Sequence, residues 1–373
     1  MNKKLSILLI LFISLFLFPT NIKASTETAY SYVLMDLDSG RVLESKNKDT
    51  PLLIASITKI MTAIIALENK DINEIVTVDE SIKSSYGSGI YISIGEEMPL
   101  KDLLYGLMLR SGNDAAIMIS TYVSGSEKEF VKLMNKKAKT IGMKNTIFYN
   151  SSGLDNNTQG NISTAYDMAL LTKYAMQNST YREIVKTKKY TTKTNLKSYI
   201  WHNKNKMLSY DYATGGKTGY TEKAKRTLVS TASKNNINLV VVTIKDSDDW
   251  NTHKTLFEKT FNNYKSYKVL NKKNFSVLGD TYYDELYIKN NLSLTLKKDE
   301  TKSLVSHIKL EKIKNYQTGT RVGVAYIYLG NTLIHEEEIY AKRVNNSQLK
   351  LIDKIKNIFK FLYINNINIY PYK

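Results

Sequence analysis

Cysteine is absent from all 373 residues. That excludes disulfides and thiol catalysis, so any folded core is held by packing alone. Histidine is nearly absent too, with only His202, His253, His307 and His335. None stands in an H-E-x-x-H arrangement, so no metal site and no cofactor is expected. There is no G-x-S-x-G elbow, which removes the usual α/β-hydrolase signature. Triads assemble in space, so spacing leaves a Ser-His-Asp set open, but nothing points to one. Acidic residues are outnumbered, 35 against 53 basic, for a formal charge of +18. Such a chain is drawn to anionic envelope polymers or lipid headgroups, although the excess is spread through a Lys-, Asn-, Ile- and Tyr-rich sequence. No helix-turn-helix, zinc-finger or aromatic RNA-binding signature is present, so no nucleic-acid partner is expected.

Long apolar runs are confined to residues 5–18. Lys3 and Lys4 precede that run, and Pro19 and Ala24 follow it. This is the layout of a signal peptide, residues 1–24, cut after Ala24. The run is shorter than the roughly 18–20 residues a spanning helix needs. Secretion across the cytoplasmic membrane follows as an expectation. The remaining roughly 350 residues exceed one comfortable core and imply more than one domain.

Between residues 25 and 264 strand-like and helical patterns mix. Residues 32–37 and 38–43 read as a hairpin turning on Asp38-Ser39-Gly40. Residues 56–68, 100–109, 114–123, 127–141, 164–176 and 250–264 have helical spacing. Residues 227–233 and 238–245 form a second hairpin pattern. Strands at both ends with helices between predict an α/β (α+β) domain, an antiparallel sheet covered by helices. From 265 to 342 helical spacing disappears, and residues 266–278, 285–296, 305–310, 321–329 and 332–341 read as strands of a small all-β domain. In the last segment, 343–373, Leu351, Ile352, Ile355, Ile358, Phe359 and Leu362 recur at three- and four-residue steps. With six basic residues against one acidic, that is a basic amphipathic helix suited to an anionic membrane surface.

A lysine can activate a serine where no histidine does. S-x-x-K occurs four times, at Ser45/Lys48, Ser56/Lys59, Ser306/Lys309 and Ser347/Lys350. Only Ser56 opens an apolar helix, where positions i and i+3 share a face and Lys59 reaches the Ser56 oxygen. Free N–H groups at a helix start also favour a developing oxyanion. The plainer reading of Ser56 alone is an N-cap serine. Two further elements shift the balance. Ser111-Gly112-Asn113 interrupts two apolar helices, where a loop projects polar groups into a cleft. Lys217-Thr218-Gly219 follows Gly215-Gly216, and Gly219 lets a substrate backbone approach a strand edge.

With S-x-x-K, S-x-N and K-T-G in this order, the chain resembles the D-alanyl-D-alanine carboxypeptidases of the low-molecular-mass penicillin-binding proteins. Gly153-Leu154-Asp155, the run 163–169, Tyr220-Thr221 and Asp249-Trp250-Asn251 extend the likeness. A departure is Lys225-Arg226, where the family often carries glycine before the Arg or aromatic residue. The resemblance implies a penicillin-binding/β-lactamase-like catalytic domain acting through an acyl-enzyme on Ser56. It implies Lys59 as general base, Ser111 as proton relay, and Asn113 holding the substrate amide. It further implies Lys217 and Thr218 on the terminal carboxylate, and the N–H groups of Ser56 and Tyr220 as the oxyanion hole. Peptidoglycan stem peptides are the implied substrates, and β-lactam antibiotics the implied inhibitors. A class A β-lactamase lacks support, because no E-x-x-L-N stands between the second and third motifs. A DD-endopeptidase would use the same residues. A non-enzymatic penicillin sensor usually sits behind several membrane helices, and a wall-binding module would not need the whole set.

Overall fold

The structure, a computed structural model, describes residues 28–156, 158–344 and 370–371. The expected signal peptide lies outside these residues, as does most of the expected C-terminal helix.

The first half is built on a five-stranded antiparallel sheet. Its strands are β1 (Ser31–Asp36), β2 (Val42–Lys46), β3 (Ala213–Thr221), β4 (Lys225–Lys234) and β5 (Ile237–Ile244), in the spatial order β2-β1-β5-β4-β3. The apolar run of β5 is explained by burial on both faces. Alternate side chains point opposite ways along a strand. Val240, Val242 and Ile244 therefore join Val33 and Met35 under the main helical layer, while Leu239 and Val241 join Tyr32 and Leu34 under the last helix. The register pairs Val242 with both Val33 and Val229. Asn235 and Asn236, at φ +53° and +59°, make the tight β4–β5 turn, a conformation asparagine tolerates.

Seven α-helices cover the sheet among the described residues: α1 (Lys59–Asn69), α2 (Leu100–Tyr105), α3 (Asn113–Ser124), α4 (Glu127–Thr140), α5 (Ala165–Ala175), α6 (Ser179–Lys186) and α7 (Asp249–Asn263). Ser126, Thr164 and Asn178 cap α4, α5 and α6 by accepting from Glu129, Asp167 and Tyr181 N–H. Residues 59–66 are buried all round α1, which makes it the central helix of the layer. The sequence patterns miss α6, the ribbon of Lys189–Lys193 with Ser198–His202, and the short pairs of Leu52–Leu53 with Ile162–Ser163 and Ile75–Thr77 with Glu97–Pro99.

The second half is all-β. It comprises β6 (Lys265–Leu270), β7 (Glu285–Tyr287), β8 (Leu292–Leu296), β9 (Leu304–Leu310), β10 (Arg321–Leu329), β11 (Thr332–Lys342) and β12 (Tyr370–Pro371). They form a four-stranded sheet, β7-β11-β10-β9, and a three-stranded sheet, β8-β6-β12. The expected single strand over 285–296 is two strands in different sheets, because the polar run Lys289-Asn290-Asn291 turns the chain between them. The expected strand 266–278 stops at Leu270. Arg343 and Val344 are non-helical and Tyr370–Pro371 pairs with β6, so these four positions of the expected terminal helix are not helical, and the rest of it lies outside the described residues. The halves are joined where the Arg41 guanidinium donates to the Thr295 carbonyl (2.8 Å) and pairs with Glu300, while Thr295 N–H donates to Asp36 Oδ2 (3.0 Å).

Candidate active site

Three segments converge: the entry to α1, the α2–α3 connection and the edge strand β3. The chain enters α1 through a 3-10 turn, Ala55–Thr58. Ser56 therefore stands ahead of the helix. The N-cap position is Thr58, which makes no side-chain cap bond, so the plain capping role for Ser56 is ruled out. Ala55 holds φ +49°, a left-handed strain that persists only where neighbours over-determine it. One such neighbour is Gly153, at φ +83°. A Cβ there would lie 1.9 Å from the Ala55 carbonyl oxygen, so only glycine fits against the turn.

Lys59 is fully buried. Its Nζ bonds to Ser56 Oγ at 3.2 Å, Asn113 Oδ1 at 2.7 Å and the Ser152 carbonyl at 2.6 Å. Asn113 Nδ2 donates to the Tyr86 carbonyl at 2.6 Å, which fixes the amide so that its oxygen faces Lys59. Of the three partners only the Ser56 hydroxyl has a hydrogen to give. A neutral Lys59 must therefore turn its lone pair to Ser56 Oγ–H. Burial lowers the Lys59 pKa to about 7, with Asp114 opposing the fall and Lys204 adding to it.

Gly106–Arg110 is a π-helical turn following α2, a form often found at functional sites. It ends at Ser111, in the left-handed region at φ +66° and 6% exposed. No described hydrogen bond joins the Ser111 hydroxyl to Ser56 or Lys59. Asp114 anchors the start of α3 by accepting from the N–H groups of Ile90 (3.0 Å), Tyr91 (2.6 Å) and Ala115 (2.8 Å).

Strand β3 forms the opposite wall. An added Cβ at Gly219 would meet Thr227 Oγ1 at 2.4 Å and stand 3.0 Å from Ser56 N. The strand backbone thus lies directly against the Ser56 turn. Thr227 Oγ1 donates to the Ile54 carbonyl (3.0 Å), tying β4 to the same turn. Lys217 is buried, and its Nζ donates to the Thr218 carbonyl at 2.7 Å. Burial, then Lys59 and Lys204, hold its pKa well below the lysine range. Thr218 is half-buried, and Tyr220 is 61% exposed at the cleft mouth.

Sequence reasoning missed several parts of this site. Lys204 lies in the unremarkable run 202–206, yet it bears on both buried lysines. Asn161 holds the 149–153 loop, accepting from Tyr149 N–H (2.7 Å) and donating to the Asn150 carbonyl (2.9 Å) and Thr58 Oγ1 (3.0 Å). Neither residue carries a local pattern. Lys225 adopts φ +59°, the left-handed conformation for which glycine is suited, so lysine here keeps the turn. Arg226 beside it reaches Asp249 on α7. His253 is fully buried between Ser230 Oγ and Thr243 Oγ1, where burial lowers its pKa to about 3. It serves packing, with no path to a substrate.

Comparison with known proteins agrees with this geometry. A family model described as D-alanyl-D-alanine carboxypeptidase matches residues 19–248. A model of the penicillin-binding protein 5 C-terminal domain matches residues 259–345. The chain is 33% identical over 345 residues to the D-alanyl-D-alanine carboxypeptidase DacF of Bacillus subtilis, covering 86% of this chain and 87% of that protein. It is 31% identical over 240 residues to DacB2 of Mycobacterium tuberculosis, covering 62% and 82%. Penicillin-binding protein 5 of Haemophilus influenzae superposes with a TM-score of 0.72 at 27% identity, over 85% of this chain and 97% of that one. The chain belongs to the D-alanyl-D-alanine carboxypeptidase family of serine hydrolases, the low-molecular-mass penicillin-binding proteins.

Proposed function

We propose that Ser56 is the nucleophile of a D-alanyl-D-alanine carboxypeptidase acting on peptidoglycan stem pentapeptides. The observation that carries this reading is the 3.2 Å hydrogen bond between Ser56 Oγ and the Nζ of a buried lysine whose pKa is brought down to about 7. Lys59 Nζ takes the Ser56 proton as Oγ attacks the carbonyl carbon of the penultimate D-alanine. The oxyanion is held by the N–H groups of Ser56 and Tyr220. The C–N bond then breaks as Ser111 gives its hydroxyl proton to the departing D-alanine nitrogen and takes the proton held by Lys59, which is neutral again for the attack of water. Water hydrolyses the resulting ester and returns Ser56. Asn113 holds the substrate amide, and Gly219 lets the peptide backbone lie along β3. Lys217 and Thr218 take the terminal carboxylate, whose charge draws a proton back onto Lys217. A β-lactam acylates Ser56 by the same attack and stays.

The domain plan in this reading is a signal peptide at 1–24, the peptidase domain at 25–264, the β domain at 265–342 and a membrane-associating segment at 343–373. The enzyme is placed outside the cytoplasmic membrane. The basic amphipathic spacing of residues 351–362 supports a peripheral hold on anionic lipid. Incubation with a stem pentapeptide tests the activity through release of free D-alanine, and fluorescent penicillin tests the nucleophile. Ser56→Ala is expected to abolish both; labelling that survives the substitution rules Ser56 out.

A further inference from the structure

Beyond Asn113 the cleft continues into a cavity of about 210 Å³ that the acyl-transfer steps leave unused. Its walls include Tyr86, Asn113, Glu127, Tyr149, Ser152 and Asn156. In a chain of formal charge +18, no lysine, arginine or histidine lines it among the described residues. The single carboxylate is Glu127, half-buried at the start of α4. Glu127 Oε1 accepts from both Ser151 N–H (2.9 Å) and Ser151 Oγ (2.6 Å), one residue from the Ser152 carbonyl that binds Lys59. Both described bonds end on that one oxygen, which leaves Oε2 for a ligand. Lys223 and Lys59 approach the walls, but Lys223 donates to the Asn156 carbonyl and Lys59 to the Asn113 amide oxygen and the Ser152 carbonyl, and no described bond joins either to Glu127. A lone carboxylate beside two tyrosine rings fits an ammonium group by charge pairing and by cation–π attraction.

We infer that this cavity receives the side chain of the stem-peptide residue preceding D-Ala-D-Ala, and that Glu127 recognises an ammonium at that side chain's end. The inference rests on the site reading above. With the terminal carboxylate at Lys217 and Thr218, the acyl side of the scissile bond leads past Ser56 toward Asn113 and Ser152, where this cavity opens. The site thus selects stem peptides whose third residue is a diamino acid with a free distal amine.

The test compares two peptides, Nα-acetyl-L-Lys-D-Ala-D-Ala and its Nα,Nε-diacetyl form, on the full chain and on Glu127→Gln. Glutamine keeps Oε1 for Ser151 and removes the charge. The unaltered protein is expected to favour the free amine about tenfold in kcat/KM, mostly through KM. Glu127→Gln is expected to bring that preference below about twofold while leaving the diacetyl peptide unchanged. Equal use of the two peptides by the unaltered protein overturns the inference, as does a preference that survives Glu127→Gln. Loss of penicillin labelling in the variant also overturns it, by showing that the carboxylate serves the loop. Both peptides are run as well as competitors of penicillin labelling, so the amine preference reads even without hydrolysis. A protein that hydrolyses them yet never labels at Ser56 unseats the nucleophile instead and leaves the Glu127 comparison standing.

Discussion

At the scale of single residues, the site turns on where a proton can rest. Lys59 and Lys217 are both buried, and after burial itself the charge of Lys59 further disfavours the cation on Lys217. The mechanism proposed above needs a neutral Lys59, which dominates only above its pKa. Acylation of Ser56 by penicillin is therefore expected to rise as pH increases through about 7 and to fall below it. A second-order acylation rate that stays flat between pH 5.5 and 8.5 would refute Lys59 as the base. Lys59→Arg keeps the positive charge permanently, because guanidinium does not lose its proton in this range. Stopped-flow acylation should slow by roughly 10³-fold, within the usual range for losing a general base. A loss under tenfold would move the role to another group. Gly219 acts through what it lacks. Gly219→Val would drive a side chain into Thr227 Oγ1 and the Ser56 backbone, and kcat/KM is expected to fall about 10²-fold.

At the scale of elements, the strained Ala55 turn is held by packing across the chain. Gly153→Ala would set a methyl group against the Ala55 carbonyl and hold a left-handed φ, costing about 3 kcal/mol. Calorimetric unfolding measures it, and a cost below about 1 kcal/mol would mean that the loop moves freely. The β3–β4 turn gives the opposite case. Lys225→Gly relieves a left-handed lysine and is expected to raise stability by up to about 1 kcal/mol, read from denaturant midpoints. A lowered midpoint would contradict this. The long helices were legible because their apolar residues repeat at helical spacing over ten or more positions. α6 buries Tyr181, Ile184 and Val185 on one face but is only eight residues, too short for the repeat to stand out. The ribbon at 189–202 alternates in burial over only five residues a strand, with Lys and Thr on its open face. The 3-10 entry to α1 was illegible for another reason. Its shape is imposed by Gly153 and Gly219, which are remote in sequence.

For the whole molecule, the peptidase half and the β half meet through a few polar bonds. Arg41 is mostly buried and donates both to Glu300 and to the Thr295 carbonyl, while Thr295 N–H donates to Asp36. Arg41→Ala should loosen the β half and leave penicillin labelling intact. Faster protease cleavage between the halves would show the loosening, and an unchanged digestion rate would argue against this tie. Removing residues 345–373 should shift the protein from the membrane pellet to the supernatant, since the basic amphipathic segment lies there. Unchanged sedimentation would place the membrane hold elsewhere or remove it.

Residue types and their order determined much by themselves. The absence of cysteine and the four scattered histidines left a serine–lysine pair as the patterned route to a nucleophile. Apolar periodicity placed the sheet and most helices, because burial writes a local repeat. Only the tertiary structure showed that Lys59 is fully buried while Lys48 and Lys309 are not, since the bare pattern is the same in each pair. It alone brought Lys204, Asn161 and Ser152 around Lys59, because these contacts cross large gaps in the chain. It also placed a lone carboxylate, Glu127, in a cavity lined by no basic side chain among the described residues, a juxtaposition that composition at +18 conceals.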